Sequence, residues 1–287
     1  MKYVVARRAV AVTVLCLAMV ACKREAATPT TATAPGTTPE AAATAAAVPE
    51  VELKDVAETT PDYVIGISYQ TPAAKYPGLA TELKRYADAA RTDLIEAAQA
   101  RKKGEGSAPY DLSLNFTEVL DSPSLVAVAA EGSSYTGGAH GSPLIARFVW
   151  LPQQNKLLRA TDLVPDKKGW DAISRYVREQ LHSALSQRVD ADDLAPAERA
   201  EVVENAGRMI DDGTGADPAN FALFEPVVAV DGKMTALRFV FPPYEVGPYS
   251  DGTQTVEVPA SVLLPFVAPA YKTLFAGASN EQIANSK

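Results

Sequence analysis

The sequence predicts an α+β fold: a mainly antiparallel sheet with packed helices, built as two sequential small units. Three observations carry this. Segments with period-two alternation and segments with 3.6-residue periodicity follow one another in mixed order, without the regular βαβ alternation of a parallel sheet. Asp231-Gly232 joins two apolar runs in the manner of a hairpin. A hydrophobic content of 47% with 22% charged residues over 287 residues is enough to build a sizeable core, and the length suits one domain or two small ones.

The elements follow in order. Tyr63–Tyr69 is rich in β-branched and aromatic residues and reads as a strand. Leu79, Leu83, Tyr86, Ala90, Leu94 and Ala98 recur every three or four residues, which predicts an amphipathic helix over 78–103, stopped by Gly104-Glu105-Gly106. Asp111–Leu120 alternates Leu112, Leu114 and Phe116 with Ser113, Asn115 and Thr117, a half-buried strand. A turn at Ser122-Pro123 leads to strands over Ser124–Glu131 and Pro143–Pro152, and a short one over Lys156–Leu158. Helices are expected over Lys168–Arg188, with Trp170, Ile173, Val177 and Leu181 on one face, and over 196–212, opened by Pro196 and ended by Gly213. The hairpin Phe224–Val230 and Lys233–Phe241 turns at Asp231-Gly232 as a type I′ turn. A strand over Thr253–Val258 and a partly helical Val262–Phe275 complete the fold. The unit boundary falls near 155–165, giving units over 51–160 and 161–277 and a tail over 278–287.

The first 22 residues read as a targeting signal. Lys2, Arg7 and Arg8 precede an apolar run from Ala9 to Val20, too short to span a bilayer. The run ends in Met19-Val20-Ala21-Cys22, which resembles a bacterial lipobox; Cys22 would carry the lipid, acylated with chains such as palmitate. Lys23 follows Cys22 with no Asp, which by analogy with lipoprotein sorting favours the outer membrane. Residues 23–50 are almost entirely Ala, Thr, Pro and Glu and hold no aromatic, Leu or Ile to bury, so they read as a disordered tether. The expected location is periplasmic and lipid-anchored, with the membrane reached through Cys22.

The chain holds 27 basic and 35 acidic side chains, net −8. Removing Lys2, Arg7 and Arg8 with the signal leaves 24 against 35, or −11. That argues against nucleic acid as a partner and favours cationic ones. Two His and two Cys leave little for a metal or cluster site, and no metal or cofactor is expected. Zinc-protease, P-loop, dinucleotide and Ser-Lys signatures are missing. His182, Arg175, Arg178 and Arg188 read as a solvated helix surface, and Asp190, Asp192 and Asp193 as solvated acids lacking the rest of a calcium loop.

Two loops stand apart. Tyr135-Thr136-Gly137-Gly138-Ala139-His140-Gly141 concentrates glycine around one of the two His residues. Glycine there serves unusual dihedrals or a close approach. As a catalytic base His140 would act on Ser142 or Tyr135, yet no carboxylate stands in register to orient it. Structural and binding roles are the other readings. Pro242-Pro243-Tyr244-Glu245-Val246-Gly247-Pro248-Tyr249-Ser250-Asp251-Gly252 offers two Tyr suited to interfaces and two acids suited to a basic partner. The candidate binding residues are therefore Tyr135, Thr136, Gly137, Gly138, His140, Tyr244, Glu245, Tyr249 and Asp251. No catalytic residue is assigned, and an enzyme is not expected.

These two segments carry a resemblance. Tyr135–His140 and Phe241–Gly252, the latter followed by Val256-Glu257-Val258-Pro259, resemble signatures of a bacterial extracytoplasmic domain of unknown function. That domain occurs in the lysozyme-sensing anti-sigma factor RsiV and ahead of the catalytic domain of PdaC-type peptidoglycan deacetylases. The resemblance spans about residues 60–268, with Gly141 standing where Pro is common. It implies an envelope binding module whose ligands are lysozyme-like muramidases or peptidoglycan. A structural or assembly lipoprotein without a small ligand is one alternative, and a peptidoglycan hydrolase using His140 is another.

Overall fold

The computed structural model describes residues 51–101, 108–192 and 194–278. The signal, the lipid-bearing Cys22, the tether, the Gly104-Glu105-Gly106 stop, Asp193 and nearly all of the tail lie outside these residues. The fold is α+β, as predicted, with a mixed six-stranded sheet, a three-stranded antiparallel sheet and packed helices.

The first sheet holds β1 (Val56–Thr59), β2 (Tyr63–Gln70), β3 (Tyr110–Asp121), β4 (Val126–Tyr135), β5 (Ser142–Leu151) and β6 (Lys156–Leu157), side by side in chain order. Helix α1 (Pro77–Ala100) crosses between β2 and β3, which run parallel. One βαβ unit is thus set in an otherwise antiparallel sheet. Strand β1 was not foreseen, because Val56-Ala57-Glu58-Thr59 is short and carries only one large apolar residue. The α1 stripe Leu79, Leu83, Ala87 and Leu94 packs on Ile65, Ile67, Leu112, Leu114 and Phe116. Phe116 stacks on Tyr69 at 4.8 Å and meets Tyr86 edge-on at 6.3 Å. Such pairs add to plain area burial.

Every residue from Val126 to Ala130 is buried. Val126 and Val128 face the α1 core, whereas Ala127 faces a second core. A continuous apolar run is what a strand covered on both faces requires. Beyond Glu131 the strand becomes polar and its second face opens to solvent.

The second core is built by the C-terminal elements. Helix α2 (Ala160–Leu163) leads into α3 (Lys167–Ala191) and α4 (Pro196–Gly213). The α3 stripe Trp170, Ile173, Val177, Leu181, Leu185 and Val189 is buried. It packs in one cluster with side chains of β7 (Phe224–Val228), β8 (Met234–Phe241) and β9 (Gln254–Pro259), which form the second sheet, and with α5 (Ala260–Leu263). Of the expected helix over Val262–Phe275, the structure keeps the end of α5 and a 3-10 turn over Pro269–Leu274. His182 and Arg178, expected on a solvated face, both reach Asp211 of α4, at 3.0 and 3.2 Å.

The β7–β8 turn corrects an expectation. Only Gly232 has positive φ (77°), and its N–H donates to the Ala229 carbonyl. Ala229 N–H in turn donates to the Lys233 carbonyl. This is a three-residue loop, a type I turn followed by a left-handed glycine, and not the two-residue type I′ form. The loop takes in Val230, which is fully exposed at the tip.

A chain of charges crosses from one sheet to the other. Arg147 of β5 donates to Glu131 of β4 at 2.6 Å and to Glu225 of β7 at 2.5 Å. Glu225 also accepts from Arg238 of β8 at 3.3 Å, and Arg238 donates to Glu257 of β9 at 2.7 Å. Glu225–Arg238 and Arg238–Glu257 are directly opposite cross-strand pairs. Arg147 and Glu225 keep only 5% and 10% of their side-chain exposure. Removing one member of a buried pair strands the other charge. Arg147→Ala is therefore expected to lower unfolding free energy by about 3 kcal/mol in urea titrations. Glu257→Ala, at the exposed end, should cost under about 1 kcal/mol.

Candidate functional site

The loop joining β4 to β5 and the turn joining β8 to β9 come from different sheets, and they meet. The His140 ring stacks on Tyr249 with centroids 4.5 Å apart and planes 16° from parallel. Tyr244 lies 5.5 Å from Tyr249, tilted by 37°. Three rings from two loops thus form one row at the surface.

Local forces hold each side. The Tyr135 hydroxyl donates to the Gly138 carbonyl at 3.0 Å and closes the first loop. Gly137 and Gly138 both take positive φ, 102° and 96°, where a side chain would strain the backbone. Thr136 through His140 are exposed. In the second loop Tyr244 N–H donates to Gly247 and Glu245 N–H to Pro242. Val246 is buried in the second core and pins the turn from below. A Cβ on Gly213, at the end of α4, would lie 2.0 Å from the Glu245 carbonyl oxygen, so only glycine lets helix and turn approach this closely.

Tyr244 is 57% exposed and has φ of +75°. A left-handed aromatic residue stores backbone strain, and an exposed ring recovers little of it by packing. Glu245 carries its carboxyl above the usual range because surrounding protein partly removes it from water. Asp251 does not stand free for a partner: its carboxylate is ion-paired with Arg188 of α3 at 2.8 Å and is 17% exposed.

The structure brings His140, Tyr249 and Tyr244 together and places Glu245 and Asp251 in the same turn. Tyr135, Thr136, Gly137 and Gly138 face a separate hollow of about 390 Å³ with Arg101 and Tyr110. Arg101 lies 4.8 Å over the Tyr110 ring, a cation–π contact. Arg101 and Arg188 were missed as neighbours of these loops; nothing in local spacing marks residues so distant in sequence. Among the described residues there is no cluster of His, Cys, Asp and Glu able to hold a metal ion, and no helix long and apolar enough to cross a membrane.

Residues 161–261 match the family described as "Protein of unknown function (DUF3298)". The matched stretch contains the Tyr-rich turn; the glycine-rich loop precedes it. A crystal structure of a DUF3298 family member from Bacteroides fragilis aligns at 17% identity with a TM-score of 0.48, covering 82% of this chain and 95% of that one. A DUF3298 family protein from Pseudomonas aeruginosa aligns at 16% identity with a TM-score of 0.42, covering 78% and 96%. No curated protein matches the chain.

Two outcomes follow for the turn. Tyr244→Gly should raise stability by about 1 kcal/mol, because glycine accepts the positive φ without strain; thermal unfolding would show a higher Tm. A raised carboxyl pKa means that the folded state disfavours the ionised form. Stability is then full at acid pH and falls as pH rises from the unfolded toward the folded pKa of Glu245. Glu245→Gln should therefore stabilise the protein at neutral pH, and the gain should vanish below about pH 4, where the carboxyl is protonated in both states.

Proposed function

We propose that this chain, which carries a DUF3298 domain over residues 161–261, is a binding module of the bacterial envelope and not an enzyme. It is held at the periplasmic face of the outer membrane by lipid on Cys22, with the tether of residues 23–50 setting its reach. The observation that carries the reading is the ring row His140–Tyr249–Tyr244, which unites both sequence-marked loops on one exposed surface.

The chemistry of that row suits recognition. Tyr presents apolar area with a polar tip and loses little side-chain entropy when it docks. The strain at Tyr244 is retained although glycine would relieve it, as expected where the side chain itself is needed. His140 has one ring face occupied by Tyr249, an arrangement suited to a contact surface more than to proton transfer. The partner that best fits the family resemblance and the net charge of −11 left once Lys2, Arg7 and Arg8 are removed is a basic lysozyme-like muramidase, with peptidoglycan glycan as the other ligand. Opposite charge would speed encounter, while the rings supply the hold.

Calorimetric titration of the full-length protein with a hen-type lysozyme should give saturable 1:1 heat that weakens but persists at physiological salt. Tyr249→Ala should cost about 2 kcal/mol of binding, as for a central aromatic anchor. Wild-type affinity in both Tyr244→Ala and Tyr249→Ala would remove the ring row from the interface. Sedimentation with insoluble peptidoglycan distinguishes the glycan from the protein ligand.

A further inference from the structure

A hollow of about 440 Å³ lies where the first sheet meets the C-terminal elements. Leu157 of β6, Leu158, and Phe224 of β7 form apolar walls, with Ala219 and Ala222 added by the 3-10 turn over Pro218–Phe221. The volume is in the range of small-molecule sites. Among the described residues the hollow is lined by two arginines, Arg147 and Arg159, and by no acid.

Arg147 reaches the hollow with donors to spare. A guanidinium carries five N–H groups. Nε–H of Arg147 donates to Glu225, one N–H of Nη1 to the Ala146 carbonyl and one of Nη2 to Glu131. The second N–H on each terminal nitrogen meets no acceptor among the described residues. The side chain keeps only 5% of its exposure, and a donor left unmet at such depth is costly. The charge of Arg147 is balanced by Glu131 and Glu225, neither of which lines the hollow. Arg159 supplies the unbalanced charge. It is exposed and makes no ion pair among the described residues, while the nearby Asp162 is taken by Lys156 and by the Arg159 backbone N–H.

These features select the ligand. A cation finds no acid in the lining. A neutral hydrocarbon leaves the Arg147 donors unmet and Arg159 unpaired. A small inorganic anion leaves the apolar walls wet. We propose that the hollow binds an aliphatic monocarboxylate of the fatty-acid class. Its chain lies on Leu157, Leu158 and Phe224, and its carboxylate accepts from the spare Arg147 N–H groups and pairs with Arg159. The lining is aliphatic apart from Phe224, which suits a flexible chain better than a stacked ring. This site is distinct from the ring row and does not rest on the binding role given to it.

The test is calorimetric titration of the full-length protein with decanoate, kept below its micelle concentration. Decanol and acetate are parallel titrants. Saturable 1:1 binding of decanoate is expected, with decanol and acetate each at least about tenfold weaker, because each lacks one half of the recognition. Arg159→Gln should lower decanoate affinity about tenfold. Ala222→Leu, which fills the hollow, should lower it at least as much. Arg175→Gln removes an exposed arginine of α3 outside the hollow and should bind as the wild type does. All three variants change exposed positions, and matching circular dichroism would show that they fold. Absence of decanoate binding, or equal loss in Arg159→Gln and Arg175→Gln, would overturn the site. Decanol or acetate binding as tightly as decanoate would overturn it as well.

Discussion

The buried pair between Arg147 and Glu225 is the contact on which the rest of the molecule depends. Among the described residues no backbone ladder joins the two sheets, so side-chain contacts and the short link from β6 to α2 set how they pack. The apolar part of that junction, Ala127, Val149 and Leu151 against the α3 stripe, supplies burial energy but little direction. The ion pair supplies direction. Its donors and acceptors are engaged at fixed positions from Glu131 to Glu257, so a slip of one sheet against the other would leave a charge buried without a partner. Its value therefore lies in register more than in net stability. That register is what allows a loop from the first sheet and a turn from the second to stack rings at 4.5 Å.

The Tyr-rich turn shows how such a surface is held. Its costs are concentrated: a left-handed Tyr244, a partly desolvated Glu245 and a backbone pressed onto Gly213. Its anchors are equally local: Val246 in the core, the Arg188–Asp251 pair, and the turn hydrogen bonds closing on Gly247 and Gly252. A segment that is strained and firmly anchored at once keeps its side chains in a high-energy presentation. This is the usual condition of a preorganised binding surface.

Much of the fold was legible because burial imposes its period on the chain. Helices α1, α3 and α4 and strands β2 to β5 follow directly from apolar spacing. Strand β1 was not legible, since Val56–Thr59 owes its place to pairing with Val64–Ile67 and not to its own composition. The parallel pairing of β2 and β3 was hidden for the same reason: alternation states which face is buried, not which neighbour a strand takes. At the β7–β8 turn the dipeptide Asp231-Gly232 marked the right place, but the glycine serves as the bulge after a type I turn. Of the site, the composition of both loops was visible. Their meeting was not, because it follows from contacts between the two sheets, Arg147–Glu225 and the shared apolar core, which carry no local signal. Asp251 looked like a free acid for the same reason, as Arg188 lies on a distant helix.

Asp251 ties the turn to the helix layer. It closes the single 3-10 turn that begins at Tyr249, and its carboxylate is ion-paired with Arg188 of α3 at 2.8 Å. The backbone under Tyr249 is thereby fixed to a helix as well as by its own turn hydrogen bonds, and the Tyr249 ring stacks on His140 of the β4–β5 loop. The ring row is thus held from three sides, by α3, by the β8–β9 turn and by the loop of the first sheet, so that a substitution at Asp251 or Arg188 would loosen it without touching a ring.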